Sequence, residues 1–310
     1  MRGTGSSGSE LVASIKHTVT VPSSSSTSAQ RARQALADQL KEIRLRAGLS
    51  GTELARAAGW SGVDKVSRIE HAARPPSVAD VLTWCRVCGV DEQRTEELLA
   101  EQKAVSTMWT DSRRINRAGL RGAQKSVRPI WERSTLVRTY QPRLIPGLLQ
   151  TPAYATAVLT SVRARLRLQV DDVAAAVAER MSRQRVLRRA GRQFIFLIEE
   201  AALRYRLYEA HVLVDQLTHL EEVTRLPTVS LGIIPLAASR TSSAHAVPVE
   251  GFNIFDDRQV QVELVSGELN ITQGWEIALY AERFRALGDI ADFGGQARRR
   301  IAAARAALGE

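Results

Sequence analysis

Ser61, Asp64, Ser67, Arg68 and His71 are spaced so that, at about 100° per residue, they share one arc of a helix, with Lys65 on its shoulder. Hydroxyls, a carboxylate, an imidazole and a guanidinium on one short arc are hydrogen-bonding groups of a reach suited to base edges in the DNA major groove. Arginine there can pair bidentately with guanine, and a lysine on the shoulder is placed for phosphate. The competing reading is the solvated face of an ordinary helical hairpin, so the flanking elements have to decide.

Those elements lie in Leu49–Ser77, LSGTELARAAGWSGVDKVSRIEHAARPPS. Ser50 and Glu53 form S-x-x-E, a capping box that satisfies orphan N–H groups at a helix start. Leu54, Ala55 and Ala58 follow at helical spacing, and Gly59 stops that helix. Trp60-Ser61-Gly62 turns the chain, with Ser61 a candidate cap for the helix that follows. Val66, Ile69 and Ala73 give the second helix one apolar stripe, and Pro75-Pro76 ends it. Leu36–Gly48 precedes the pair as an amphipathic helix with its seam at Leu36, Leu40 and Ile43. Val78–Cys88 follows, opened by Ser77 and Asp80, and a fifth helix starts at Asp91-Glu92 and carries Leu98 and Leu99. Several short helices in about 70 residues suit a compact helix-turn-helix domain whose second helix enters the major groove.

Residues 36–77 resemble the xenobiotic-response-element, phage-repressor-like family of transcriptional regulators, through IRLRAGLS, TELARAAGW, KVSRIE and PPS. The resemblance implies that Gly62–Ile69 is the recognition helix. It also implies that Arg44, on the first helix, pairs with Glu70 after it. Three positions depart from the family pattern. Gly51 stands where a phosphate-contacting Gln is usual, which leaves Thr52 to substitute. Ala72 replaces the usual Gly, and the turn GWSGVDKVS is one residue longer than the commonest form. The DNA-facing set is therefore Thr52, Ser61, Gly62, Asp64, Lys65, Ser67 and Arg68, with Arg44 and Glu70 as a structural ion pair.

The whole chain has 310 residues and a formal net charge of +10. Length calls for more than one domain, and the charge favours a polyanionic partner. The charge is partitioned: residues 31–74 hold nine Lys/Arg against five Asp/Glu, residues 77–102 two against six, and residues 103–143 ten against two. The sequence divides into a disordered arm (1–30), a helix-turn-helix domain (31–104), a basic helical linker (105–135) and a C-terminal domain (136–310). The arm is polar and ends in VPSSSSTSAQ, too poor in apolar residues to offset its ordering entropy.

Cys85 and Cys88 form C-x-x-C without a second such pair or a histidine cluster, so they read as core cysteines of a protein from a reducing, cytoplasmic setting. No run of 18 apolar residues exists for a membrane span, and the N-terminus lacks the apolar stretch of a signal peptide. Neither a metal nor a cofactor is expected.

After residue 136 strands and helices mix. TLVRTY, QFIFLIEE, VSLGIIP, GFNIFDD, QVQVELV and GELNIT are strand candidates, with Asp256-Asp257 turning a hairpin. Helices are expected from Thr151-Pro152 to Val162, over Asp171–Leu187, His211–Arg225, Gly274–Leu287 and Phe293–Leu308. The fold class is multidomain: an all-α helix-turn-helix domain plus an α+β domain, or a mixed sheet with helices on one face. In order, IPGLLQTPAYA, ERMSRQRVL, FLIEEAALRYR, VLVDQLTHL, VSLGIIPL and VELVSGELNIT resemble the C-terminal domain, of undefined function, that accompanies this helix-turn-helix in actinobacterial antitoxin-like regulators. That resemblance implies a small acidic partner protein and supplies no catalytic residue.

No enzyme is expected. Glu199-Glu200 would sit on opposite faces of a strand, one exposed and one paired with Arg204, and so would not converge for acid–base chemistry. His211, His219 and His245 lack metal-binding spacing, and no G-x-S-x-G or phosphate loop occurs. The sequence reads as a DNA-binding transcriptional regulator of its own or a neighbouring operon. An antitoxin-like protein-binding module and a small-molecule sensor are the alternatives. A homodimer on double-stranded DNA is expected, since one recognition helix spans few base pairs. Self-association is expected mainly within residues 110–310, notably through Thr151–Val162 and His211–Arg225.

Overall fold

The computed structural model describes residues 28–309 except Ser242 and Ser266. The arm expected at 1–30 lies, as far as residue 27, outside the described residues. Residues 28–30 are helical, because α1 (Ser28–Arg46) is rich in the helix formers Ala, Arg, Gln and Leu and has no Gly or Pro to stop it sooner. It is followed by α2 (Gly51–Ala57), α3 (Asp64–Glu70), α4 (Val78–Val87) and α5 (Glu92–Met108). Leu36, Leu40, Leu54, Val66, Ile69, Val81, Trp84 and Leu98 close on one another as a single core. Burying each aliphatic side chain is worth roughly 1.5–3 kcal/mol. The indole of Trp84 donates to the Leu40 carbonyl at 2.9 Å, so the largest side chain in this core is also satisfied.

The second body begins directly after α5. It comprises β1 (Trp109–Asp111), α6 (Ser112–Ile115), α7 (Gly119–Ser126), α8 (Arg128–Arg133), β2 (Leu136–Gln141), α9 (Pro152–Leu166) and α10 (Val173–Arg183). It continues through β3 (Gln193–Glu199), α11 (Glu200–Arg204), α12 (Ala210–Val223), β4 (Val229–Ile234), β5 (Phe252–Phe255), β6 (Gln259–Leu264), β7 (Gly267–Ile271), α13 (Gly274–Asp289) and α14 (Gly294–Ala306). The strands form one mixed sheet in the order β1-β7-β6-β5-β2-β3-β4. The β2–β3 and β3–β4 pairs are parallel, joined by helical crossovers, and the others are antiparallel. Asp256 and Asp257 turn the β5–β6 hairpin with φ of 49° and 52°, the left-handed pair a tight hairpin turn demands.

Three expectations are corrected. Helices cover both faces of the sheet: Phe194, Phe196 and Ile198 pack with residues of α9, α12 and α14, whereas Leu197, between them in sequence, packs with α13. Period-two alternation with two apolar faces produces this, and single-strand patterns hide it. The 105–135 stretch is no linker. β1 pairs antiparallel with β7, Leu120 of α7 is buried against Ala155, Leu159, Val173 and Ala176, and Ala123 is buried too. The Asp172 carboxylate accepts from the amides of Leu120 (3.0 Å) and Arg121 (2.9 Å), and Gly119 takes φ +85° beside it, where a Cβ would strike that carboxylate. Third, α9 and α12 spend their apolar stripes on the core: Tyr154, Val158, Leu213, Leu217 and Leu220 are all buried within the chain. No helix among the described residues is long and apolar enough to cross a membrane.

Candidate nucleic-acid interface

The capping box sets the start of α2. Ser50 N–H donates to Glu53 Oε2 at 2.7 Å, and Glu53 N–H donates to Ser50 Oγ at 3.2 Å. Leu54 and Ala55 are then buried against Val66 and Ile69 of α3, which fixes how the second helix lies on the first. A Cβ on Gly51 would come to 3.1 Å from Val63 Cγ2 and 3.6 Å from Val66 Cγ1. The lengthened turn therefore lays Val63 over the first turn of α2, a physical reason for glycine at this place. The N-cap of α3 is Val63 and carries no side-chain capping bond, so the cap expected from Ser61 is not made. Ala72 sits at φ +52°, where a left-handed L-residue costs roughly 1–2 kcal/mol.

With Val66 and Ile69 inward, Ser61, Gly62, Asp64, Ser67, Arg68 and His71 are exposed on the opposite side of the turn and α3, and Thr52 is exposed on α2. Among the described residues, the Arg68 guanidinium has no hydrogen-bond or ion-pair partner within the chain. The His71 ring lies back on its own helix, with Nδ1 2.8 Å from the Ser67 carbonyl.

Lys65 differs. Its ammonium is 2.5 Å from Asp80 Oδ1 and 4.2 Å over the Trp60 ring. Asp80 belongs to the capping box of α4, exchanging bonds with Ser77 at 3.0 and 3.1 Å. Burial alone would raise the Asp80 pKa, but the bonds from Lys65 and Ser77 outweigh it and hold the carboxyl below its ordinary value. The Lys65 charge is thus engaged inside the domain, whereas the sequence placed it on phosphate. Trp60 and Asp80 were absent from the expected set. The capping box was visible at Asp80, but the Lys65 bridge depends on how α4 packs on α3.

Arg44 and Glu70 meet as a forked pair, Nε to Oε1 at 2.6 Å and Nη2 to Oε2 at 2.9 Å, both residues being 8 % exposed. A third donor of Arg44 reaches the Leu49 carbonyl at 2.7 Å. The hydrogen bond to Glu70 raises the Arg44 pKa despite burial. This pair ties the last turn of α1 to the last turn of α3 and to the entry of α2.

In the second body, Glu199 and Glu200 are both buried, so neither is the exposed member that was expected. Glu199 accepts from Tyr140 Oη at 2.9 Å and from Arg240 at 2.6 Å. Glu200 accepts from Arg204, from Arg300 at 3.1 Å and from the Leu236 amide at 3.1 Å. Each carboxylate is tied to its own arginines, as a structural anchor would be. Cys85 is buried and Cys88 half-buried, and burial pushes both thiols up. Among the described residues no three His, Cys, Asp or Glu side chains gather to hold a metal ion.

Comparison with known proteins matches this division. Residues 35–98 fit a helix-turn-helix domain family. Residues 131–303, more than half of the chain, fit the family described as "Domain of unknown function (DUF5753)". The chain belongs to that family, with a helix-turn-helix domain ahead of it. No curated protein matches. A solved structure described as "Structure of TrmBL2, an archaeal chromatin protein, shows a novel mode of DNA binding" superposes over 83% of this chain and 100% of its own, with 11% identity. Its TM-score of 0.29 is too low for that likeness to carry an argument.

Proposed function

We propose that the protein is a sequence-specific, double-stranded-DNA-binding transcriptional regulator acting in the cytoplasm by binding rather than catalysis. The observation that carries this reading is the exposed arc of Ser61, Gly62, Asp64, Ser67 and Arg68 on a rigidly framed α3, with an unpaired guanidinium among them. Ser61, Gly62 and Asp64 lie where base edges are approached, Arg68 reads guanine, and Thr52 on α2 touches phosphate. A homodimer would set two such helices about 34 Å apart on two half-sites. The resemblance to xenobiotic-response-element, antitoxin-like regulators supports control of its own or a neighbouring operon together with a small acidic partner protein.

The experiment is footprinting of the full chain on genomic fragments across a salt series. A discrete protected site, with affinity falling steeply as salt rises, is expected. Protection without any preferred sequence would sink the regulator reading, and no protection at low salt would sink DNA binding.

A further inference from the structure

A cavity of about 430 Å³ lies in the second body, between the sheet and α6–α10. That volume is within the roughly 300–1,000 Å³ of small-molecule sites. On the sheet side its wall carries Thr139, Gln141, Asn253 and Gln261, neutral groups on β2, β5 and β6. Thr139, Gln150 and Gln261 are all buried; Thr139 donates to Asn253 Oδ1 at 2.8 Å, and Gln150 donates to the Ile145 carbonyl at 2.7 Å, so the wall is polar and internally braced. On the helix side stand Arg180 and Arg183, three residues apart on α10.

The arginines are the unusual part. Arg180 donates to Gln124 Oε1 at 3.0 Å and Gln150 Oε1 at 2.6 Å. Arg183 donates to the Gln124 carbonyl at 3.1 Å and to the same Gln124 Oε1 at 3.2 Å. Two guanidiniums thus crowd one neutral amide. Gly147 lies against both, a Cβ there coming within ordinary contact of each at 3.7 and 3.8 Å. Among the described residues neither pairs with a carboxylate. The nearby Glu179 is already bound to Arg128 at 2.8 Å. Arg183 Nε is buried without a partner. Burial lowers the Arg180 pKa to about 10 and the Arg183 pKa to about 9, so both stay charged at neutral pH and their cost persists there.

A buried guanidinium, Arg183, beside a half-buried one, Arg180, neither paired with a carboxylate among the described residues and both facing a cavity, make a built receptor for an anion: guanidinium forks match carboxylate and phosphate oxygens. Glu263 and Arg165 are exposed members of the lining and mark its mouth, with Glu268 half-buried beside them. We propose that this cavity binds a small organic anion, its carboxylate or phosphate held between Arg180 and Arg183 and its remaining polar groups read by Thr139, Asn253 and Gln261. This end of the wall, Ser112 and Ile115 of α6 with Asn116 just after it, follows α5 and β1 directly, and Leu98 and Val105 of α5 are built into the helix-turn-helix core.

The test is thermal melting of the full chain with inorganic phosphate, glucose 6-phosphate and gluconate, beside Arg180→Gln and Arg183→Met. A saturable rise in Tm of the wild type is expected with a phosphate or carboxylate probe, stronger for an organic one than for inorganic phosphate. Both variants should lose that rise while melting, unliganded, at or above the wild type, since each removes a desolvated charge that has no carboxylate partner. No saturable rise with any probe overturns the proposal. So does a rise that survives in both variants, which would place the anion elsewhere on a basic surface. Unliganded variants that fold but melt well below the wild type would give the arginines a structural role in place of a binding one.

Discussion

Arg44 in the first body and Arg183 in the second are buried cations, with Arg180 half-buried beside Arg183, yet they are compensated in opposite ways. Arg44 has a forked carboxylate at 2.6 and 2.9 Å. Arg180 and Arg183 share a neutral glutamine, and one of their nitrogens is unsatisfied. Charge alone therefore does not mark a ligand site in this basic chain; the presence or absence of an internal carboxylate does. By that criterion Arg44 and Lys65 belong to the frame, whereas Arg68 on the surface and Arg180 and Arg183 in the cavity face something outside the chain.

The largest effect should come from breaking a compensated pair. Glu70→Ala leaves Arg44 buried and unpaired, a loss of about 3–5 kcal/mol for a buried pair, against about 0–1 kcal/mol for a surface one. The helix-turn-helix transition in calorimetry should fall by many degrees or vanish. The same logic gives Arg183→Met the opposite sign, as argued above. If Glu70→Ala melts like the wild type, compensation by a carboxylate is a poor criterion for the frame.

Next in size is the split between Arg68 and Lys65. Arg68→Ala should cost about 1–3 kcal/mol of discrimination at one guanine position while leaving melting unchanged. Lys65→Met should do the reverse, lowering stability slightly through the lost Asp80 bridge and leaving sequence preference intact. Selection of bound sites from a random duplex pool, run on both variants, measures this. Uniform weakening by Lys65→Met at every sequence, without loss of stability, would return Lys65 to the phosphate backbone.

The legible part of this molecule was local. The capping boxes at Ser50 and Ser77, the Thr151 N-cap before Pro152 and the Asp256-Asp257 turn each act within a few residues, and the sequence states them directly. What stayed hidden depends on packing between elements distant in sequence. The 105–135 stretch reads as a basic linker, but its Leu120 packs with residues of α9 and α10. Arg180 and Arg183 extend the buried stripe of Val173, Ala176 and Val177 at helical spacing, so the sequence did carry a signal: arginines on an apolar face. Reading it required knowing that, among the described residues, no carboxylate from another element forms an ion pair with them.

The smallest expected effect separates the Lys65–Asp80 bridge from the other depressed carboxylates. The folded-state pKa of Asp80 lies below its ordinary value. A depressed carboxyl contributes stability that is complete above the unfolded pKa, near 4 for aspartate, and is lost as pH falls through the lower folded value. Glu200 and Asp256 are also held low, by arginines and by the Leu136 and Thr135 groups respectively, against burial that would raise them. Both bodies therefore weaken together in acid, and a wild-type titration alone cannot assign the loss. The difference between wild type and Lys65→Met can. It should be constant from neutral pH down to about 5 and then shrink toward zero as Asp80 protonates, because a neutral Asp80 no longer holds the ammonium. Urea melts of the two chains at a series of pH values give that difference. A gap that persists unchanged into strong acid would mean that Lys65 stabilises chiefly through its stem and charge over Trp60.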